Sequence, residues 1–352
     1  MTMASDPAIQ GDPTAAVPDD ALFPDEGPLP LWRKVLAWPT MQIGLVLVAL
    51  VVVFSVLHPS EFTSADNARN IATDAAVLLV ISVGMTYVII TAGIDLSVGG
   101  VLVFAGVVGA KAMNGVGGNG WGTLLLGLAV CLAAGLAWGM LNGFLVAVAK
   151  IPALIVTLGT LGMSLGAALL ITGGVDERSV PYKLITDVGT GRLGGQVPWL
   201  VIIAVAVALV GGIVLALTRF GRYTYAIGSN EEAARRAGIS VNWHLIKVYG
   251  FAGLLAGLAG YLSLARFGTT TVGGHDTDNL NAIAAVVIGG TSLFGGVGVI
   301  AGTVIGVFIP AVLQNGFVIA GVQPFWQQVA VGAVLIGAVY LDQLRRRSLA
   351  SR

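Results

Sequence analysis

The chain has 352 residues, 56% of them hydrophobic and 10% charged, with 18 Lys and Arg balanced by 18 Asp and Glu, and its mean hydropathy is +0.89. Apolar runs repeatedly reach the roughly 18–20 residues a helix needs to cross a bilayer, which excludes a soluble domain and indicates an all-α polytopic membrane protein. Zero net charge without a basic tract gives no sign of nucleic acid as a partner, and a lone cysteine, Cys131, excludes a disulfide and reads as core packing.

Residues 1–30 carry six acids (Asp6, Asp12, Asp19, Asp20, Asp25 and Glu26), several prolines and no Lys or Arg. Such a segment cannot bury enough apolar surface to offset ordering, so it reads as a disordered acidic tail. It lacks the basic n-region of a signal peptide, and the first span is expected to be a retained anchor. Ten spans are expected within a membrane region 31–344, near 40–57, 71–92, 95–113, 122–148, 152–172, 198–218, 242–266, 279–293, 297–317 and 325–343, followed by a basic tail at 345–352. With the N-terminus inside, twelve Lys and Arg fall on the inner side and six (Arg69, Lys111, Arg178, Lys183, Arg192 and Arg266) on the outer side. That bias places both termini and 219–241 in the cytoplasm and 173–197 and 267–278 outside.

Fifty glycines would weaken a soluble bundle, but in a bilayer small residues let helices approach closely. Two of the spans, 95–113 and 279–293, are short or glycine-interrupted. The segment Ala92–Gly100, with Gly93, Asp95, Ser97 and Gly99, is echoed by Gly289–Gly296, with Gly290, Thr291 and Ser292. Asn142-Gly143-Phe144 is echoed by Asn315-Gly316-Phe317. The first half carries one extra span between its echoes, which would turn one half upside down relative to the other. Inverted repeats with broken helices mark transporters, and the breaks point to the translocation path. The alternative is that Gly-rich membrane sequences resemble one another by chance.

Asp95 is the sole carboxylate between residues 75 and 175. A charge within a membrane is costly, and two roles are open: capping the amides of Ser97 and Val98 at a helix break, or facing the path and binding solute. The surrounding Gly93, Ser97, Gly99 and Gly100 favour capping. Asn142, Asn281, Gln314 and Asn315 lie in apolar spans, where interhelical bonding is the common role and solute binding the sharper one. Thr157 and Thr160 face the same choice, with backbone bonding favoured. The histidines, His58, His244 and His275, have no metal-ligand spacing and read as solvated; no metal and no cofactor are expected.

The segment Gly228–Ile239 stands out as a charged helix between apolar spans. Ser229 or Asn230 can cap it, Glu231 and Glu232 lie at its positive end, Arg235 and Arg236 at its negative end, and Gly238 can take the C′ position. Glu231–Arg235 and Glu232–Arg236 are i,i+4 pairs worth about 0.2–0.5 kcal/mol each, too little for two turns to stand alone, so the helix is expected to dock on something.

These residues carry a resemblance. Gly84–Gly99, with Ile94-Asp95-Leu96-Ser97, resembles a hallmark of the permease subunits of ABC importers for ribose, xylose, arabinose and galactose. Tyr225–Ile239 is similar to that family's cytoplasmic loop, Asn281–Leu293 followed by Gly295-Gly296 to its late glycine-rich motif, and Ile151–Thr160 also fits. The resemblance covers roughly residues 70–340 and implies a non-catalytic bacterial inner-membrane subunit, paired with a second permease copy. It implies a separate ABC ATPase and an extracytoplasmic sugar-binding protein as partners. It makes Gly228, Asn230, Glu231, Glu232, Ala233, Arg235, Arg236 and Gly238 the coupling element to the ATPase. Asp95, Ser97, Gly99, Asn142, Thr157, Asn281, Gly290, Thr291, Ser292 and Asn315 become candidates for the helix breaks or the path. The chain has no Gly-x-x-x-x-Gly-Lys-Ser/Thr phosphate loop, in keeping with energy supplied by a partner. Related permeases for branched-chain amino acids, nucleosides or a signalling furanone share the design. An ion-coupled carrier would have only Asp95 to work with, and no set of groups suggests an intramembrane enzyme.

Overall fold

The computed structural model describes residues 39–323, apart from Thr271, Val272 and Asp276, and scattered positions from 326 to 340. In chain order the helices are α1 Pro39–Leu57, α2 Pro59–Phe62, α3 Ala65–Ile90, α4 Val98–Val116, α5 Trp121–Ala147, α6 Ala153–Thr172, α7 Trp199–Leu217, α8 Arg219–Ser229, α9 Glu231–Arg236, α10 Val241–Phe267, α11 Asp278–Ile288 and α12 Ile300–Ile319. A six-residue π turn, Leu184–Gly189, and a two-residue antiparallel pair, Arg192–Leu193 with Val197–Pro198, fill the α6–α7 connection. Lys183 and Asp187 pair across the π turn at 2.6 Å, and that bond holds the Asp187 carboxyl below its usual range.

Seven of these helices are long and apolar enough to cross a membrane, and α1 and α11 are shorter apolar helices. Nine of the ten expected spans therefore meet a helix. The tenth, 325–343, falls largely on residues outside those described, as do the two tails. Two boundaries are corrected. The span expected at 95–113 starts as helix only at Val98, and the one expected at 279–293 is helical only to Ile288. At 1.5 Å per residue the eleven residues of α11 rise about 16 Å, roughly half of a hydrocarbon core.

Helices α3 and α10 form the centre, their apolar stretches 89% and 83% buried, while α5, α6 and α7 bury only 28% and turn Leu, Ile and Val outward as a lipid-facing ring would. Glycine spacing sets the tightest seam. Gly135, Gly139 and Gly143, four apart on α5, lie against Ile246, Tyr249, Gly250, Gly253 and Gly257 of α10. A Cβ on Gly139 would sit 3.0 Å from the Cα atoms of both Gly250 and Gly253, and one on Gly135 would sit 2.7 Å from the Gly257 nitrogen. Backbone therefore packs on backbone, the geometry that small-xxx-small spacing permits where water supplies no hydrophobic drive.

Candidate functional site

Between α3 and α4 the chain unwinds. Thr91 and Ala92 close α3, with Ala92 at φ +60°, a left-handed conformation uncommon for a residue with a side chain. The Gly93 amide returns to the Val88 carbonyl at 3.0 Å, and a Cβ there would meet the Tyr249 hydroxyl at 2.6 Å, which accounts for glycine at 93. Asp95, 1% exposed, accepts from the Ser97 amide at 2.8 Å and the Ser97 hydroxyl at 2.6 Å. Asn142 of α5 donates to the same hydroxyl at 2.8 Å, Thr157 of α6 to the Ile94 and Ala153 carbonyls, and Asn279 of α11 to the Leu96 carbonyl at 3.0 Å. Gly99 sits against the His275 carbonyl. Asp95, Ser97, Gly99, Asn142 and Thr157 thus form one buried neighbourhood that ties the break to α5, α6 and α11.

A second unwound segment, residues 289–299, joins α11 to α12. Gly290, Gly295 and Gly296 adopt φ of +89°, +83° and +74°, which glycine takes without a Cβ clash. Thr291 and Ser292 lie inside this loop, their amides bound to the Val286 and Val297 carbonyls. The two breaks touch: the Gly296 amide donates to the Ile90 carbonyl at 2.9 Å. A little further along α3 and α12, Thr86 and Thr303 bond through their hydroxyls at 2.8 Å. The halves of the expected repeat are not equivalent in detail, because Asn142 serves the first break whereas Asn315 makes a reciprocal amide pair with Asn67 at 3.0 and 2.8 Å.

The charged segment meets this junction directly. Tyr225 of α8 donates to the Gly298 carbonyl at 2.6 Å, and Gly228 packs on the Ile90 carbonyl and the Gly296 nitrogen. Asn230, rather than Ser229, caps α9, its side chain accepting from the Ala233 amide at 2.9 Å. Arg235 pairs with Glu231 at 2.8 Å, and Arg236 with Glu232. Gly238, at φ +83°, donates to the Arg235 carbonyl, and Ile239 to Ala234, closing the helix as a left-handed cap. Underneath, Ala234 joins Ala147, Ile227, Val241, Leu245 and Ile246 in a small apolar cluster. The helix is two-faced: Ala234 is buried while Glu231, Glu232, Arg235 and Arg236 point outward.

At the other ends of α3 and α10 lies a cavity of about 890 Å³ whose lining includes Asp74, Arg266, His275, Asp278, Asn281, Gln314 and Asn315. Arg266 binds Asp74 at 2.8 Å. His275 is not a solvated histidine: it is 8% exposed, bound to Asp278 at 2.7 Å and to the Ser263 hydroxyl at 2.8 Å. His244 is corrected in the same way, buried and 2.9 Å from the Thr224 hydroxyl. No group of three His, Cys, Asp or Glu could hold a metal among the described residues. From the sequence alone, Tyr225, Tyr249, Asn67 and Asp278 had no individual role and His275 read as a solvated histidine. Only the last two carried a signal, an acid three residues from a histidine ahead of a helix.

The helical, span-rich architecture with two apposed breaks defines a polytopic membrane transport protein. The chain belongs to the permease family described as the branched-chain amino acid transport system permease component, which matches residues 67–339. It is 39% identical to the ribose import permease protein RbsC of Escherichia coli K12, over 88% of this chain and 96% of the relative. It is 35% identical to the D-allose transport system permease protein AlsC of the same organism, over 88% and 93% of the two chains. It is also 35% identical to the fructose import permease protein FrcC of Rhizobium meliloti, over 86% and 85%. No solved structure matches the chain.

Proposed function

We propose that this chain is the inner-membrane permease subunit of an ATP-driven importer, carrying a monosaccharide that an extracytoplasmic binding protein delivers. The observation that supports this most is the seating of α8, which α9 directly follows, on both helix breaks at once. A partner that moves the exposed face of α9 therefore pulls on both breaks. Under the positive-inside reading α9 and both termini are cytoplasmic, where a separate ATPase binds and hydrolyses ATP. Gly228, Asn230, Glu231, Glu232, Ala233, Arg235, Arg236 and Gly238 form or shape the docking element, and a second permease copy pairs with this one. Asp95, Ser97, Gly99, Asn142 and Thr157 hold the first break, and Gly290, Thr291 and Ser292 the second. Asn281 lines the way in.

The relatives named for ribose, allose and fructose favour a sugar, and the family's description keeps branched-chain amino acids as the second reading. The test is uptake into proteoliposomes holding the permease with its ATPase, supplied with its binding protein and labelled ribose, allose, fructose, xylose or leucine. ATP-dependent accumulation of at least one sugar is expected. Accumulation of leucine alone, or of any solute without ATP, overturns the proposal.

A further inference from the structure

We infer that the cavity between α3, α10, α11 and α12 is a resting site for a neutral, polyhydroxylated ring, with Asp278, Asn281 and Gln314 as its hydroxyl partners; this rests on the import reading above. Its volume, about 890 Å³, falls within the range of ligand cavities. The lining mixes an apolar wall, Val77, Leu78, Leu280 and Val318, with a few convergent polar groups. An apolar wall for the ring faces and a small number of placed acceptors and donors is the composition that holds a sugar rather than an ion.

The state of the charges narrows the solute class. Every ionisable side chain among the described lining residues is paired: Arg266 with Asp74 at 2.8 Å, and Asp278 with His275 at 2.7 Å. The carboxylate of an amino acid zwitterion needs a free cation, and the one Lys or Arg among the described lining residues, Arg266, is held by Asp74. What remains are neutral amides and spare lone pairs. The side chains of Asn281 and Gln314 make no hydrogen bond among the described residues. Asn281 stands one helical turn after Asp278 on α11, so both reach the same wall. Asn315, by contrast, spends both ends of its amide on Asn67 and serves as a wall strut.

Asp278 is oriented from behind. His275 Nδ1 bonds Asp278 Oδ2, and His275 Nε2 bonds the Ser263 hydroxyl on α10. The second carboxylate oxygen is left to accept a solute hydroxyl, and charge-assisted acceptance is about twice as strong as neutral pairing. His275 is accordingly a positioning residue, and Asn279, bound to the Leu96 carbonyl, links the same helix start to the first break.

The test uses the whole importer in proteoliposomes. Asp278→Asn, Asn281→Ala and Gln314→Leu are each expected to lower the maximal rate of sugar uptake at least fivefold, with ATP hydrolysis within twofold of the parent. Gln314 is solvent-exposed, so its replacement does not endanger folding. As a direct readout, Val318→Cys in a Cys131→Ser background is labelled with a thiol reagent. The sugar that the parent imports, at tens of millimolar, should slow that labelling at least threefold, while leucine should not. Uptake within twofold in all three variants, or labelling unaffected by sugar, overturns the site while leaving the import reading intact. A parent that imports no sugar overturns both.

Discussion

The junction of α8 with the two breaks yields the sharpest prediction. Gly228 has helical backbone angles, so alanine costs nothing conformationally; the cost comes from space. Its Cβ would press on the Ile90 carbonyl, 2.7 Å from the Gly296 nitrogen and 2.8 Å from the Ile90 carbonyl carbon. All of these are backbone atoms, which cannot rotate away. Overpacking of this kind costs about 1–3 kcal/mol, roughly a 5- to 150-fold shift in a two-state equilibrium. The chain relieves it by lifting α8 off the breaks. Tyr225→Phe removes the 2.6 Å bond to Gly298 without changing shape, a loss of about 0.5–1.5 kcal/mol. Both variants should hydrolyse ATP near the parental rate when complexed with the ATPase. Uptake per ATP should fall severalfold for Tyr225→Phe and at least tenfold for Gly228→Ala. Parallel loss of hydrolysis and uptake would mean that the ATPase no longer docks. Unchanged uptake per ATP in both variants would refute the idea that α8 transmits motion to the breaks.

Other outcomes follow from neighbouring contacts. Glu232→Lys turns an attraction toward Arg236 into a repulsion and sets a cation at the positive end of α9, and Gly238→Pro removes the amide that closes the helix. Each should abolish uptake while the chain still inserts, measured by transport and membrane fractionation. In the Cys131→Ser background, a cysteine at 187 should react with an impermeant thiol reagent in intact cells and one at 232 should not; the reverse pattern would invert the topology. Gly139→Leu forces the α5 and α10 backbones apart and should lower the denaturation midpoint in detergent by several degrees, whereas Gly162→Ala, in open space, should leave it unchanged. Asp95→Asn keeps the acceptor for Ser97 and should retain uptake within about threefold, whereas Asp95→Ala strands the Ser97 amide and should lose most of it.

How much was legible follows from what fixes each feature. Span positions come from apolar runs and the breaks from glycine clusters, both local in sequence, so nine helices lie where expected. The ends of α4 and α11 did not, because Asp95–Ser97 and Gly289–Leu293 adjoin long apolar runs and read as span while their backbones are committed to turns and long-range bonds. The caps of α9 were readable since Asn230, Glu231, Arg236 and Gly238 act within one helix. The contact of Tyr225 was invisible because its partner is a backbone carbonyl 73 residues away. His275 was misread for the same reason: its neighbours Ser263 and Asp278 become a set only once α10 and α11 converge.

The placement of Asp95 bears on how energy enters the molecule. An ion-coupled carrier needs an ionisable group that meets the ion along the path. Here Asp95, the one carboxylate between residues 75 and 175, is turned inward to Ser97, in a network shared with Asn142, and the ionisable groups among the described residues of the cavity are closed into pairs. The network fixes the shape of a break instead of offering a site to a moving charge. On the import function proposed above, force arrives mechanically, and the described residues offer a short route for it: the exposed charges of α9, the Asn230 cap, Gly228 and Tyr225, and the backbones of Ile90, Gly296 and Gly298. Because Gly296 binds Ile90, displacing α8 cannot move one break without straining the other. The glycines at the junction are what allow three backbones to meet there.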